Sequence, residues 1–268
     1  MNQTITSRHN PLIVSAAALS DRKNREAESA FLIEGKKLFE EAAASGVPVT
    51  HVFVTEAMLP FVSGKVPENL IFPVTEAVLD KISSEKSPEG VICRSGYLDK
   101  LHFFNKIYNV KEEECGRRVF FVSSVRDPGN LGTLIRTAKA FGIDEIVMSA
   151  DCADLYHTKT VRASMGALFR TRIVRAADFP AAVRAYRAGG YEIWASMLDP
   201  SALPLPSVPV KRNTAFIVGN EGHGLDKEVI EAAGRTVYIP MAEGSVESLN
   251  VSAAACVLLW KGFCGNES

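Results

Sequence analysis

The run over residues 236–260 leaves this chain few architectures. Thr236, Val237, Tyr238 and Ile239 are β-formers, and Pro240 ends their strand by withholding a donor from the ladder. Gly244, Ser245, Ser248 and Asn250 follow, small residues that let backbone lie close to a neighbour. A helix of small and apolar residues then runs from Val251 towards Trp260, with Ser248 and Asn250 both candidate N-caps. Strand, polar loop and small-residue helix is the layout of many ligand sites in α/β proteins, because free N–H groups collect at a helix start. A buried helix that needs slim residues for close packing fits the same run.

The rest of the chain repeats strand–helix alternation. Helices are expected over 11–19, 21–29, 36–45 and 75–83, with strands at 31–33, 51–55, 70–74 and 90–93. Residues 98–118 are polar and mixed in charge and read as a linker. Beyond them Val119, Phe120, Phe121 and Val122 form a continuous apolar run, the mark of a strand buried on both faces. Helices follow at 133–141, 157–169, 180–188 and 226–233, with strands at 145–148, 171–174, 191–196 and 215–218. The expected organisation is a smaller α/β domain over 1–97, a linker over 98–118, and a second α/β domain over 119–268 with a mostly parallel sheet.

Charge excludes some functions. The formal net charge is −1, so no global field draws nucleic acid, and any such site must be a local patch. Arg22, Lys23 and Arg25 form one basic cluster, with Glu26 and Glu28 beside them. A solvated helix face and an RNA-binding patch are both compatible with it. The cysteines at 93, 115, 152, 256 and 264 are odd in number and make no CxxC pair, which fits reduced thiols in a cytoplasmic protein. Polar residues follow Met1 and no apolar run is long enough to span a bilayer. His51, His102, His157 and His223 are far apart and lack ligand spacing, so no metal is expected.

Three glycine-bearing loops each follow a strand: 127–132, 219–224 and 242–250. In a parallel sheet the strand ends share an edge, so such loops converge. None has the GxGxxG spacing of a dinucleotide fingerprint or the GK[ST] of a phosphate loop. Ser245 and Ser248 lack a GxSxG elbow, with only His223 as a nearby base. Arg136, one turn into a helix beginning near Asn130, and Glu221, between Asn220 and Gly222, are the charged groups beside these loops.

Together the loops resemble the three motifs of the SpoU family of RNA ribose 2′-O-methyltransferases, members of the SPOUT class. NLGTLIRTAKAFG is similar to the first motif, with Asn130 and Arg136; FIVGNEGHGL to the second, with Glu221; IPMAEGSVESLNVSAAA to the third, with Ser248, Leu249 and Asn250. Glu243 lengthens the third loop relative to the commonest family form. The amino-terminal ITSRHNPLI and FLIEGKKLFEEA resemble the substrate-binding domain of ribosomal-RNA members. The resemblance implies a carboxy-terminal trefoil knot, S-adenosylmethionine held around Gly219, Ile239, Met241 and Leu249, and a homodimer. It implies catalytic roles for Asn130, Arg136, Glu221, Ser248 and Asn250. With net charge near zero, the basic cluster Arg22, Lys23 and Arg25 is the expected RNA-binding patch of the first domain. Ribosomal RNA is the expected substrate. A transfer-RNA methyltransferase, a non-catalytic RNA-binding factor of the same fold and a small-molecule methyltransferase are the alternatives.

Overall fold

The structure, a computed structural model, describes residues 2–98, 101–104, 116–199, 201–242, 244 and 246–265. In chain order the helices and strands are α1 (Pro11–Ala18), α2 (Arg22–Glu28), β1 (Ala30–Glu34), α3 (Lys36–Ala44), β2 (Val49–Val54), α4 (Leu59–Val62), β3 (Ile71–Pro73), α5 (Glu76–Ile82), β4 (Val91–Gly96), β5 (Leu101–Phe104), β6 (Val119–Val122), α6 (Pro128–Ala140), β7 (Glu145–Ser149), α7 (Thr158–Ala163), β8 (Arg172–Ala176), α8 (Phe179–Ala188), β9 (Glu192–Ser196), β10 (Leu203–Pro204), β11 (Thr214–Val218), α9 (Lys227–Ala233), β12 (Thr236–Tyr238) and α10 (Val251–Cys264). They form two compact units: Met1–Asp99 with Asp154–Arg170, and Lys100–Ala153 with Thr171–Ser268.

The first unit is a four-stranded sheet in the order β1-β4-β2-β3, with β4 antiparallel to both its neighbours. Ile13 and Ala16 of α1, Leu19 just after it, and Val78, Leu79 and Ile82 of α5 pack over Leu32, Phe53 and Ile92 of the sheet. The segment Asp154–Arg170, expected in the second domain, packs in this unit instead. Arg25 explains part of that placement. It is 2 % exposed, and its guanidinium donates to the carbonyls of Leu19 and Ser20 at 2.7 and 2.8 Å and to Asp154 Oδ2 at 2.6 and 3.1 Å. One side chain thus caps the end of α1 and anchors the start of the late segment.

The second unit is an eight-stranded sheet in the order β10-β12-β9-β11-β6-β7-β8-β5, parallel at every pairing. Part of the expected linker, Leu101–Phe104, is its edge strand, pairing in parallel with β8; residues 105–115 of that linker lie outside the described residues. Leu203–Pro204 forms β10, a short edge strand beside β12. Phe179, Ala182, Val183 and Tyr186 of α8 and Val229, Ala232 and Ala233 of α9 bury one face against Val119, Phe121, Ile193 and Ile217. The alternate residues Phe120, Val122, Phe216 and Val218 face the other way, where α10 packs on β11 and on α6. Connections run outward in opposite directions from β6 and β11, so the crevice between these strands is a topological switch point.

Replacing Arg25 by Leu leaves Asp154 and two carbonyls without their donors. We expect a loss of about 3 kcal/mol in denaturant unfolding, with RNA affinity unchanged. Parent-like stability together with weakened RNA binding would return Arg25 to the nucleic-acid surface.

Candidate active site

The first motif is helical from its outset. Asp127 caps α6, its Oδ1 accepting from Asn130 N at 2.8 Å, and Pro128 takes the first helical position. Residues 127–132, expected as a loop ahead of a helix at 133, therefore form the cap and first turn, because the Asp-Pro start outweighs Gly129 and Gly132. Asn130 lies on that turn, half-buried, and the exposed Thr133 and Arg136 continue its stripe. Asn130 and Arg136 are about 9 Å apart along the axis, and a long helical side chain leans back towards the N-terminus, here towards Asn130. Arg136 has no ion-pair partner among the described residues.

The second motif is a closed turn. Asn220 N donates to Gly224 O at 2.8 Å, and Gly224 N donates back to Asn220 O at 3.0 Å. The Asn220 side chain accepts from Gly222 N and His223 N at 2.8 and 3.2 Å and donates to Ser124 O at 2.8 Å. It thus stitches the β11 loop to the β6 loop. Sequence reading passed over Asn220, although an asparagine two residues ahead of a glycine is Asx-turn chemistry.

Asn130 joins all three motifs. Its Nδ2 donates to Glu221 Oε1 at 3.0 Å, and its Oδ1 accepts from Asn250 Nδ2 at 3.2 Å. Of the two candidate caps of α10 the structure uses Asn250, whose Oδ1 accepts from Ser252 N at 2.9 Å. Ser252, which the sequence did not single out, donates to the Asn130 carbonyl at 3.3 Å. Asn130, Glu221 and Asn250 therefore stand together. Glu221 holds Asn130 and makes no pair with Arg136 among the described residues.

A cavity of about 540 Å³ opens beside this linkage, within the range of small-molecule sites. Its lining includes Gly219, Ile239, Met241 and Leu249, the four residues expected around a cofactor, together with Ser248 and Glu221. Leu225, Ile230 and Val251 add apolar lining, and Glu221 and Glu247 add two carboxylate residues. That donor set fits a molecule with a flat nucleoside part and a cationic centre. Arg136 lies outside the lining. Ser245 and Glu243 lie outside the described residues.

Gly219 lines the cavity and also closes the turn. A Cβ there meets Gly224 O at 2.3 Å and Leu225 Cγ at 2.9 Å, so its bareness lets the turn close on itself.

The basic cluster of the first unit does not form one surface. Arg25 is buried in its own network, Arg22 pairs with Glu26 at 2.7 Å, and Lys23 alone is exposed without an ion pair among the described residues. Burial pushes the Cys93 and Cys152 thiols up, which makes them inert. No group of metal-binding side chains occurs among the described residues.

Gly219→Ala is expected to break the turn and lose about 2 kcal/mol, a Tm drop of roughly 4–8 °C, with cofactor affinity falling alongside. Calorimetry and a thermal melt measure the two. A parent-like Tm with lost affinity would mean that the methyl group acts by filling the cavity.

Comparison with known proteins agrees with this geometry. The SpoU rRNA Methylase family matches residues 117–260, and an MRM3-like substrate binding domain matches residues 10–93. The 23S rRNA (guanosine(2553)-2′-O)-methyltransferase RlmP of Bacillus subtilis is 30% identical, covering 96% of this chain and 97% of that one. The mitochondrial rRNA methyltransferase 3A of Danio rerio is 27% identical over 93% of this chain and 67% of its own length. A solved AdoMet-bound rRNA methyltransferase from Sinorhizobium meliloti has a TM-score of 0.82 at 28% identity, covering 97% of each chain. With one match spanning over half of the sequence and the Bacillus relative aligned almost end to end, the chain belongs to the SpoU rRNA methylase family.

Proposed function

We propose that this protein transfers a methyl group from S-adenosylmethionine to a ribose 2′-hydroxyl of ribosomal RNA in the cytoplasm. The observation that carries the reading is the linkage of Asn130, Glu221 and Asn250, which joins three strand-end loops beside a cavity of cofactor size. The relatives' names and the AdoMet-bound neighbour support the same chemistry. No helix among the described residues is long and apolar enough to cross a membrane.

The cavity lining at Gly219, Ile239, Met241 and Leu249 would hold the nucleoside part of the cofactor, with Glu221 and Glu247 facing its cationic end. The chemistry the bound cofactor supplies is an electrophilic methyl group on a sulfonium. The protein's task is alignment, since holding nucleophile and electrophile in line is a large part of such a barrier. Arg136, exposed on α6 and free of an ion pair among the described residues, clamps an RNA phosphate beside the target ribose. It also stabilises negative charge as the hydroxyl loses its proton. A guanidinium stays protonated, so Arg136 acts as a fixed cation and not as the base. Asn130 and Asn250 fix the loops, and Ser248, exposed on the cavity wall, orients the hydroxyl.

The reading includes a trefoil knot and a homodimer. The knot is supported by the strand order, in which β12 lies between β9 and β10 while α10 returns to α6. The dimer is supported by α10, which exposes Ala253, Cys256, Val257 and Trp260, an apolar stripe at helical spacing. Trp260 is 56% exposed.

Arg136→Ala should lower kcat for RNA methylation at least roughly 100-fold while calorimetry shows S-adenosylmethionine affinity within about twofold of the parent. Near-parent turnover removes Arg136 from the mechanism. Trp260→Lys should shift the protein from dimer to monomer in light scattering; a monomeric parent would end the dimer reading.

A further inference from the structure

The first unit's unpaired cations are not confined to the α2 cluster. Ion pairs occupy Arg22, Lys65, Arg94 and Arg170 at 2.7, 2.9, 2.8 and 2.8 Å. Arg8 and Lys81 have no ion pair among the described residues, and both are exposed. They meet at a groove of about 520 Å³ lined by Arg8, His9, Val14, Ala17, Ala18 and Lys81. The local structure builds it. The Asn10 side chain accepts from Leu12 N at 2.9 Å, which starts α1 and leaves Arg8 and His9 on the turn just before it. On α1, Val14, Ala17 and Ala18 fall at i, i+3 and i+4, giving a low apolar floor beside the buried Ile13 and Ala16. Lys81 comes from α5, which packs on α1.

We propose that this groove docks single-stranded RNA, with Arg8 and Lys81 on neighbouring phosphates and one nucleoside face lying on Val14, Ala17 and Ala18. The inference rests on the RNA reading above and names the surface that reading requires. An acidic peptide would use the two charges, but it brings no flat ring to lie on the apolar residues that line the groove with them. The net charge of −1 makes such a local patch necessary. His9 adds an imidazole that can stack on a base or donate to a phosphate.

The test uses the full chain and an unmodified transcript of Bacillus subtilis 23S rRNA. With Arg8→Ala and Lys81→Ala combined, the slope of log affinity against log salt should flatten by about 1.4, and affinity should fall roughly tenfold at moderate salt. KM for RNA should rise with kcat retained, while Tm and S-adenosylmethionine affinity stay at parent values. Arg8→Lys should keep the parent slope, because the charge remains. Parent-like affinity and slope in the double variant overturn the groove, as does a parent with no affinity for the transcript. If the double variant loses RNA binding but the parent methylates no RNA, the groove stands and the methyl-transfer reading fails. If the parent methylates RNA and the double variant does so at the parent's KM, the groove alone fails.

Discussion

One carboxamide holds the site together. Asn130 faces a carboxylate with its amino group and another carboxamide with its oxygen, so its orientation is fixed by chemistry: only Nδ2 donates to Glu221, and only Oδ1 accepts from Asn250. An aspartate there would set two carboxylates against each other; a leucine would leave Glu221 and Asn250 without that partner. Because Asn250 also caps α10 and Asp127 caps α6 through the Asn130 N–H, the same few atoms set where two helices begin. Loops 91 and 120 residues apart in sequence from Asn130 meet on it, and the loop-closure cost of such meetings grows only slowly with length.

The charge pattern around that linkage is selective. The groups that shape the loops bond to neutral partners or to one carboxylate, and the nearby guanidinium of Arg136 is left without an ion pair among the described residues. In the first unit the reverse holds for Arg22, Lys65, Arg94 and Arg170, which are spent on internal pairs with glutamates. Free cations are then informative, since a paired one has already lost much of its pull on a polyanion.

Local signals carried much of this into the sequence. Val119 to Val122 declares a strand buried on both faces, and the glycine loops after successive strands declare a parallel sheet with a shared edge. What stayed hidden depended on distant partners. Arg25 sits in a helix of charged residues and looks solvent-facing; only Asp154, 129 positions away, makes it a buried staple. The start of α6 was hidden by two glycines, whose weak helix propensity a capped Asp-Pro overrides. What bars a side chain at Gly219, a carbonyl five residues on, is a property of the closed turn and not of the string. Ser252 and Asn220 looked like ordinary polar residues until their partners were in place.

The excursion of Asp154–Arg170 into the first unit has a consequence for synthesis. A chain made from its amino terminus normally lets an early domain complete itself while later ones are still being made. Here the last contacts of the first unit come late. The Arg25 guanidinium has no carboxylate to meet, and β1 no α7 to cover it, until Arg170 has left the ribosome. By then β6, α6 and β7 of the second unit are already out. Arg25 and β1 thus gain their last partners only after much of the second unit has been synthesised.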